Sequence, residues 1–303
     1  MGLNNSKIED FLDQSFSLKD YDIVEKRHEI SLGGEIQLLQ NKYDPTDIKI
    51  MKEYQYLGKN KIEEEISNLE NLIKINNSCP YFLKVIGYTH FKDSVFCGKI
   101  QKISLIYEYI ENSLYTEKIF RFENKKKFTE DEIFKLLQNI STANLYLQKN
   151  NLYLNNLQSQ IIFLGKEIFK IPMPALFNLP NYVDYFRASK KENYFLSPEI
   201  INHIKNKSLN MSIDFNKSNV FVLGCIVLEI MGKIQNSHDL YKEDMILEKS
   251  LIEMSLKFIK NDYSEIIHSI ISQMMVENPE KRINFNQILS QIPTLSSHNN
   301  VQN

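Results

Sequence analysis

Side chains that could carry chemistry are few in this 303-residue chain, and their spacing narrows what they could do. The three cysteines, Cys79, Cys97 and Cys225, are far apart and odd in number, and no C-x-x-C pair exists. Neither a disulfide framework nor a zinc site follows, and a reducing, cytosolic compartment fits best. The start, Met1-Gly2-Leu3-Asn4-Asn5-Ser6, carries the M-G-x-x-x-[ST] pattern for myristoylation of Gly2. One acyl chain anchors only weakly, and the following Glu9, Asp10 and Asp13 are acidic rather than basic. A proton acceptor or a hard-metal ligand would have to come from carboxylates such as Glu167, Asp184 or Glu192. None of these stands at a motif spacing. Lys52 lies in DIKIMKEY, where Ile48, Ile50 and Lys52 alternate onto one strand face, Lys49 and Met51 onto the other. Glu65 sits beside the apolar stripe Ile62, Ile66, Leu69 and Ile73 of a helix expected over 61–75.

The elements that must position these residues read as follows. From Val220 to Met231 almost every residue is apolar, so this helix must be buried on all sides, yet it is too short for a bilayer. Ser218 is the expected N-cap and Gly232 the expected stop. Residues 21–40 read as two strands with a turn at Gly33-Gly34, and Thr129-Glu130-Asp131-Glu132 is a capping box. It opens a long amphipathic helix with Ile133, Leu136, Leu137, Ile140 and Leu147 inward. Lys125 to Lys127 read as a solvated basic loop, Ile200 to Asn219 as an Asn/Lys-rich surface insert, and residues beyond Pro293 as a polar tail. With 43% hydrophobic and 24% charged residues and a net charge of −2, the chain reads as a globular protein with protein partners and no nucleic acid. No signal peptide or transmembrane run is read in it.

Several segments, taken in order, resemble the protein-kinase superfamily. SNVFVLGC at 218–225 is similar to the D-V-W-S-L-G-C opening of its central buried helix, with Asn219 for the Asp. DIKIMK is similar to V-A-I-K, making Lys52 the strand lysine (Lys49 is the runner-up) and Glu65 the helix glutamate that pairs with it. SLIYEYIENSLY at 104–115 resembles the strand-plus-hinge segment, with Tyr107 as gatekeeper and Glu108 to Ile110 as hinge. FLSPEI at 195–200 resembles Y-x-A-P-E, and MMVENPEKRINFNQIL at 274–289 closely resembles the closing Pro-x-x-Arg segment. The resemblance implies that Glu199 and Arg282 form a buried salt bridge. It implies an α+β, two-lobed fold over residues 21–295, with an antiparallel sheet and one helix to about 110 and a mostly helical lobe after it. Residues 1–20 would be an extension, and 296–303 a tail.

The same resemblance locates a catalytic region emptied of its chemistry. H-R-D-L-x-x-x-N falls on Leu154-Asn155-Asn156-Leu157 and ends at Ile161; one residue earlier it would use Asn155 and Gln160. In both registers the catalytic Asp is an amide, which has no basic oxygen at neutral pH. Met173-Pro174-Ala175 stands in the place of D-F-G, and a thioether supplies no oxygen for Mg²⁺. Of the three phosphate-loop glycines, one alone can be matched, as Gly33 or Gly34. The alanine and leucine that sandwich adenine in kinases fall on Ile50 and Phe163, whose added bulk is expected to fill the pocket; a register slip would put Met51 or Ile162 there. The expectation is a pseudokinase that uses no cofactor and works as a scaffold or allosteric partner in signalling. The alternatives are a divergent Ser/Thr kinase using ATP with Mg²⁺, and a nucleotide-binding module without catalysis.

Overall fold

The computed structural model describes residues 7–11, 16–28, 35–57, 62–95, 98–154, 157–172, 195–207, 213–235, 237–241 and 245–293. Gly2, Gly33, Gly34, Asn155, Asn156, Met173, Asp184, Glu192 and the tail 296–303 lie outside the described residues. A small lobe is built on an antiparallel sheet of β1 (Lys7–Phe11), β2 (Tyr21–His28), β3 (Glu35–Asn41), β4 (Ile48–Leu57), β5 (Val85–Val95) and β6 (Gly98–Glu108). Its order is β1-β5-β6-β4-β3-β2, with α1 (Ile62–Asn77) crossing between β4 and β5.

Both faces of this sheet are apolar, because β4 alternates Ile50 and Met51 to opposite sides. Ile50 joins Leu38, Val85, Leu105 and Tyr107 against Leu69 and Ile73 of α1. Met51 joins Leu39, Ile86 and Ile106 on the other face, under Phe16, Leu18 and Tyr21. The first twenty residues are therefore not a free extension throughout. Lys7–Phe11 pairs with β5, and residues 16–21 strap the outer face. The Tyr21 hydroxyl donates to Asp47, and burial together with that bond pushes its pKa up to about 12. At the far end of α1, Asn77 fixes the next strand through its side chain: Nδ2 donates to Val85 O and Oδ1 accepts from Val85 N–H, each at 2.8 Å.

The large lobe follows: α2 (Leu114–Glu123), α3 (Glu130–Lys149), the short hairpin β7 (Phe163–Leu164) and β8 (Phe169–Lys170), α4 (Pro198–Lys205), α5 (Phe215–Ile230), α6 (Lys249–Asp262), α7 (Glu265–Met274) and α8 (Phe285–Gln291). The capping box before α3 closes in both directions, and its five expected apolar positions are buried. α5 is buried on all sides as its composition requires, with each Val, Leu, Ile or Phe contributing about 1.5–3 kcal/mol. A Cβ at Gly224 would stand 2.8 Å from Met275 Sδ and 3.3 Å from Met274 Cβ, so the glycine leaves room for the C-terminal end of α7 against α5. Gly232 does end the helix, in the left-handed region at φ +69°.

The start of α5 differs from expectation. Asp214 is the cap, accepting from Asn216 N–H at 2.9 Å and Lys217 N–H at 3.2 Å. Ser218 lies one turn inside, where its hydroxyl meets Ser197 at 2.8 Å. Part of the expected surface insert is also structural, since α4 buries Ile200, Ile201 and Ile204.

Candidate functional site

Between the lobes lies a cleft of about 250 Å³, below the ~300–1,000 Å³ common for small-molecule sites. Its roof is Ile36 and Leu38 from β3 with Ile50 and Lys52 from β4; its back is Tyr107 and Leu83. The floor is Ile161, Phe163 and Pro172, and Tyr109, Ile110 and Glu111 close the side. Ile50 and Phe163 both line the cleft, but they do not fill it. Met51 and Ile162, the one-residue slips, are turned into the outer face and the large-lobe core instead.

Backbone bonds hold the walls in place. Leu114 N–H donates to Ile162 O at 2.6 Å, and Leu164 N–H donates to Asn112 O at 2.8 Å, so the hinge and floor form one unit. Leu83 N–H donates to Ile171 O at 2.8 Å, and Ile171 N–H to Tyr81 O at 3.0 Å, tying β8 to the approach to β5. Asn139 of α3 accepts from Phe169 N–H at 2.9 Å and pins β8 from below.

Lys52 is 7% exposed and lines the cleft. Lys49 faces the other way, paired with Asp47 on the outer surface. Glu65 lies near the start of α1, and its side chain is outside the described ones. Glu108, grouped by sequence with the cleft residues, turns its carboxylate away. It accepts from Lys170 Nζ at 2.7 Å and from Lys84 N–H at 2.8 Å, because i and i+1 on a strand face opposite sides. Glu167 is exposed on the turn between β7 and β8, with Lys135 at 3.8 Å, far from serving as a cleft base. Among the described lining residues the one carboxylate is Glu111.

Residues 34–292 match the family described as protein tyrosine and serine/threonine kinase. The chain belongs to the protein kinase family. It is 27% identical over 178 residues to the mouse serine/threonine-protein kinase Nek1, covering 56% of this chain and 14% of that protein. It is 25% identical over 191 residues to the human serine/threonine-protein kinase Nek5, covering 62% of this chain and 25% of that protein. The chain thus spans far less than two thirds of either relative.

Within this kinase fold the scaffold positions are fully engaged. Arg282 Nη1 and Nη2 meet Glu199 at 2.8 and 3.0 Å, a bidentate pair. The remaining guanidinium donors go to the carbonyls of Val276, Lys217 and Glu277 at 2.7–2.9 Å, and the ring of Phe221 lies 5.0 Å away. Every donor of this buried cation is satisfied, as a charge out of water requires. Asn219 is 5% exposed and donates through Nδ2 to Leu154 O at 2.6 Å and Asn144 Oδ1 at 3.3 Å. Asn144 spends its own Nδ2 on Ile140 O at 2.9 Å, leaving its oxygen to accept. An ionised carboxylate could not donate, so the loop ending at Leu154 is organised around an amide. Sequence alone missed Asn139, Asn144 and Leu83, whose roles depend on contacts across the fold.

Proposed function

We propose that the chain is a pseudokinase, a protein kinase fold that works through protein partners as a scaffold or allosteric element in signalling and transfers no phosphate. The observation that carries this reading is Ile161, which is buried and lines the cleft. The resemblance matches it to the metal-binding Asn, and the register one residue earlier would put Gln160 there, also in the cleft lining. Magnesium takes hard oxygen donors in octahedral array. An Ile side chain offers none, Gln158 and Gln160 bring only neutral amide oxygens, and Glu111 lies at the hinge end of the cleft. The resemblance puts an amide (Asn156, or Asn155 in the other register) and Met173 in place of the two catalytic aspartates. With no carboxylate at the phosphate end among the described lining residues, this donor set does not fit a Mg²⁺–nucleotide complex. We place its work in the cytoplasm; acylation of Gly2 would add a weak membrane attachment.

A second reading, a nucleotide-binding module without catalysis, is favoured by one feature. The cleft keeps about 250 Å³ of space with the buried Lys52 on its wall. Thermal-shift titration with ATP, with and without Mg²⁺, separates the readings. The pseudokinase gives no shift in either condition. An equal shift in both supports the nucleotide module, and a shift that requires Mg²⁺ overturns the proposal in favour of a divergent active kinase.

A further inference from the structure

We propose that the corner where α2 ends and the chain turns towards α3 docks on an anionic lipid bilayer, independently of any acyl chain at Gly2. Two aromatic side chains stand out from it, Phe120 at 53% and Phe122 at 74% exposure, with Ile119 beside them. Lys125, Lys126 and Lys127 follow directly, all exposed. Lys125 and Lys126 make no ion pair among the described residues, and Lys127 reaches Asp262 at 3.1 Å while staying 72% exposed. Glu123 is the acid interleaved with them.

The inner side of α2 is fully committed, so this corner presents a fixed face. Leu114 is buried, and Lys118 meets the buried Glu229 at 2.8 Å. Arg121 joins Glu117 at 2.6 Å to Glu132 at 2.7 Å, with its guanidinium 4.1 Å from the ring centre of Phe128. The cations that hold the helix are therefore distinct from the three that face solvent. Rings exposed this far are knobs, not walls of a groove, and a peptide would find little to wrap around. A bilayer deforms to take a protruding ring at the acyl boundary while lysines meet the headgroup charge.

The test uses the full chain produced in a bacterial host that does not acylate Gly2. Co-sedimentation with phosphatidylcholine vesicles is compared with and without phosphatidylserine. Binding is expected to the anionic vesicles alone, to weaken with salt, and to fall at least about tenfold in Phe120→Ser/Phe122→Ser and in Lys125→Glu/Lys126→Glu. Both variants change exposed side chains, and their melting temperatures should match the parent. Equal binding to neutral and anionic vesicles, no binding to either, or undiminished binding by the variants overturns the proposal. So does retention on poly-glutamate without vesicle binding, which would reassign the corner to an acidic protein partner.

Discussion

Asn219→Asp restores the residue type that kinases carry at this position, and here it should weaken the fold. The site is buried, and the two groups facing Asn219 Nδ2 are both acceptors: Leu154 O at 2.6 Å and Asn144 Oδ1 at 3.3 Å. A carboxylate there would present oxygen to oxygen, with no described cation to offset its charge. Leaving it ionised costs several kcal/mol of desolvation. It escapes that cost by taking a proton, after which it can donate to Leu154 O. Protonating a group of ordinary pKa near 3.9 at pH 7 costs about 4 kcal/mol, which caps the loss. The sign follows from the raised folded-state pKa: the variant binds more protons folded than unfolded, so its deficit grows as pH rises. Urea unfolding should find the variant about 4 kcal/mol less stable than the parent at pH 7, and about 1.5 kcal/mol less at pH 5. A variant as stable as the parent at pH 7, or a deficit that does not change with pH, would refute the reasoning.

Three further outcomes follow from the same structure. Arg282→Ala should remove about 3–5 kcal/mol by stranding Glu199, and Glu199→Gln with Arg282→Met should cost less than the two singles summed; additive losses in denaturation would show the pair uncoupled. Ile50→Ala with Phe163→Leu should lower stability by about 2–4 kcal/mol and widen the cleft enough to admit an adenine-mimetic inhibitor, read by thermal shift; unchanged stability would mean these residues do not pack there. The bond from Arg121 holds the Glu132 carboxyl down at about 2 against an ordinary 4.5, so this stabilisation is present above about pH 4.5 and is lost as pH falls towards 2. Because Glu132 is partly exposed, about 1–2 kcal/mol is the reasonable size, and Glu132→Gln should lose it at pH 7 but not at pH 2.

Much of the scaffold was legible because it rests on periodicity and local chemistry. The all-apolar run after Val220 has nowhere to go but the centre of the large lobe, and the Thr129 capping box is complete within four residues. The alternation in DIKIMKEY correctly separated the faces of Ile50 and Lys52 from those of Lys49 and Met51. What escaped depended on partners distant in sequence. Ser218 reads as a cap, but the hydroxyl of Ser197 offers it a bond inside the helix and Asp214 takes the end. Glu108 reads as a cleft residue until Lys170 claims its carboxylate from the opposite side. Phe16 and Tyr21 lie in a segment with no clear period, and only the second apolar face of the sheet explains their burial. The cleft itself was expected to close, since side-chain volume is readable from sequence whereas the separation of roof and floor is not.

The central claim, that this kinase fold transfers no phosphate, is tested most directly by incubating the purified full chain with Mg²⁺, γ-labelled ATP and a generic protein substrate. The expected result is no label above background in the chain or in the substrate, and no change with Lys52→Ala. Label that accumulates with the parent protein and disappears with Lys52→Ala would contradict the claim.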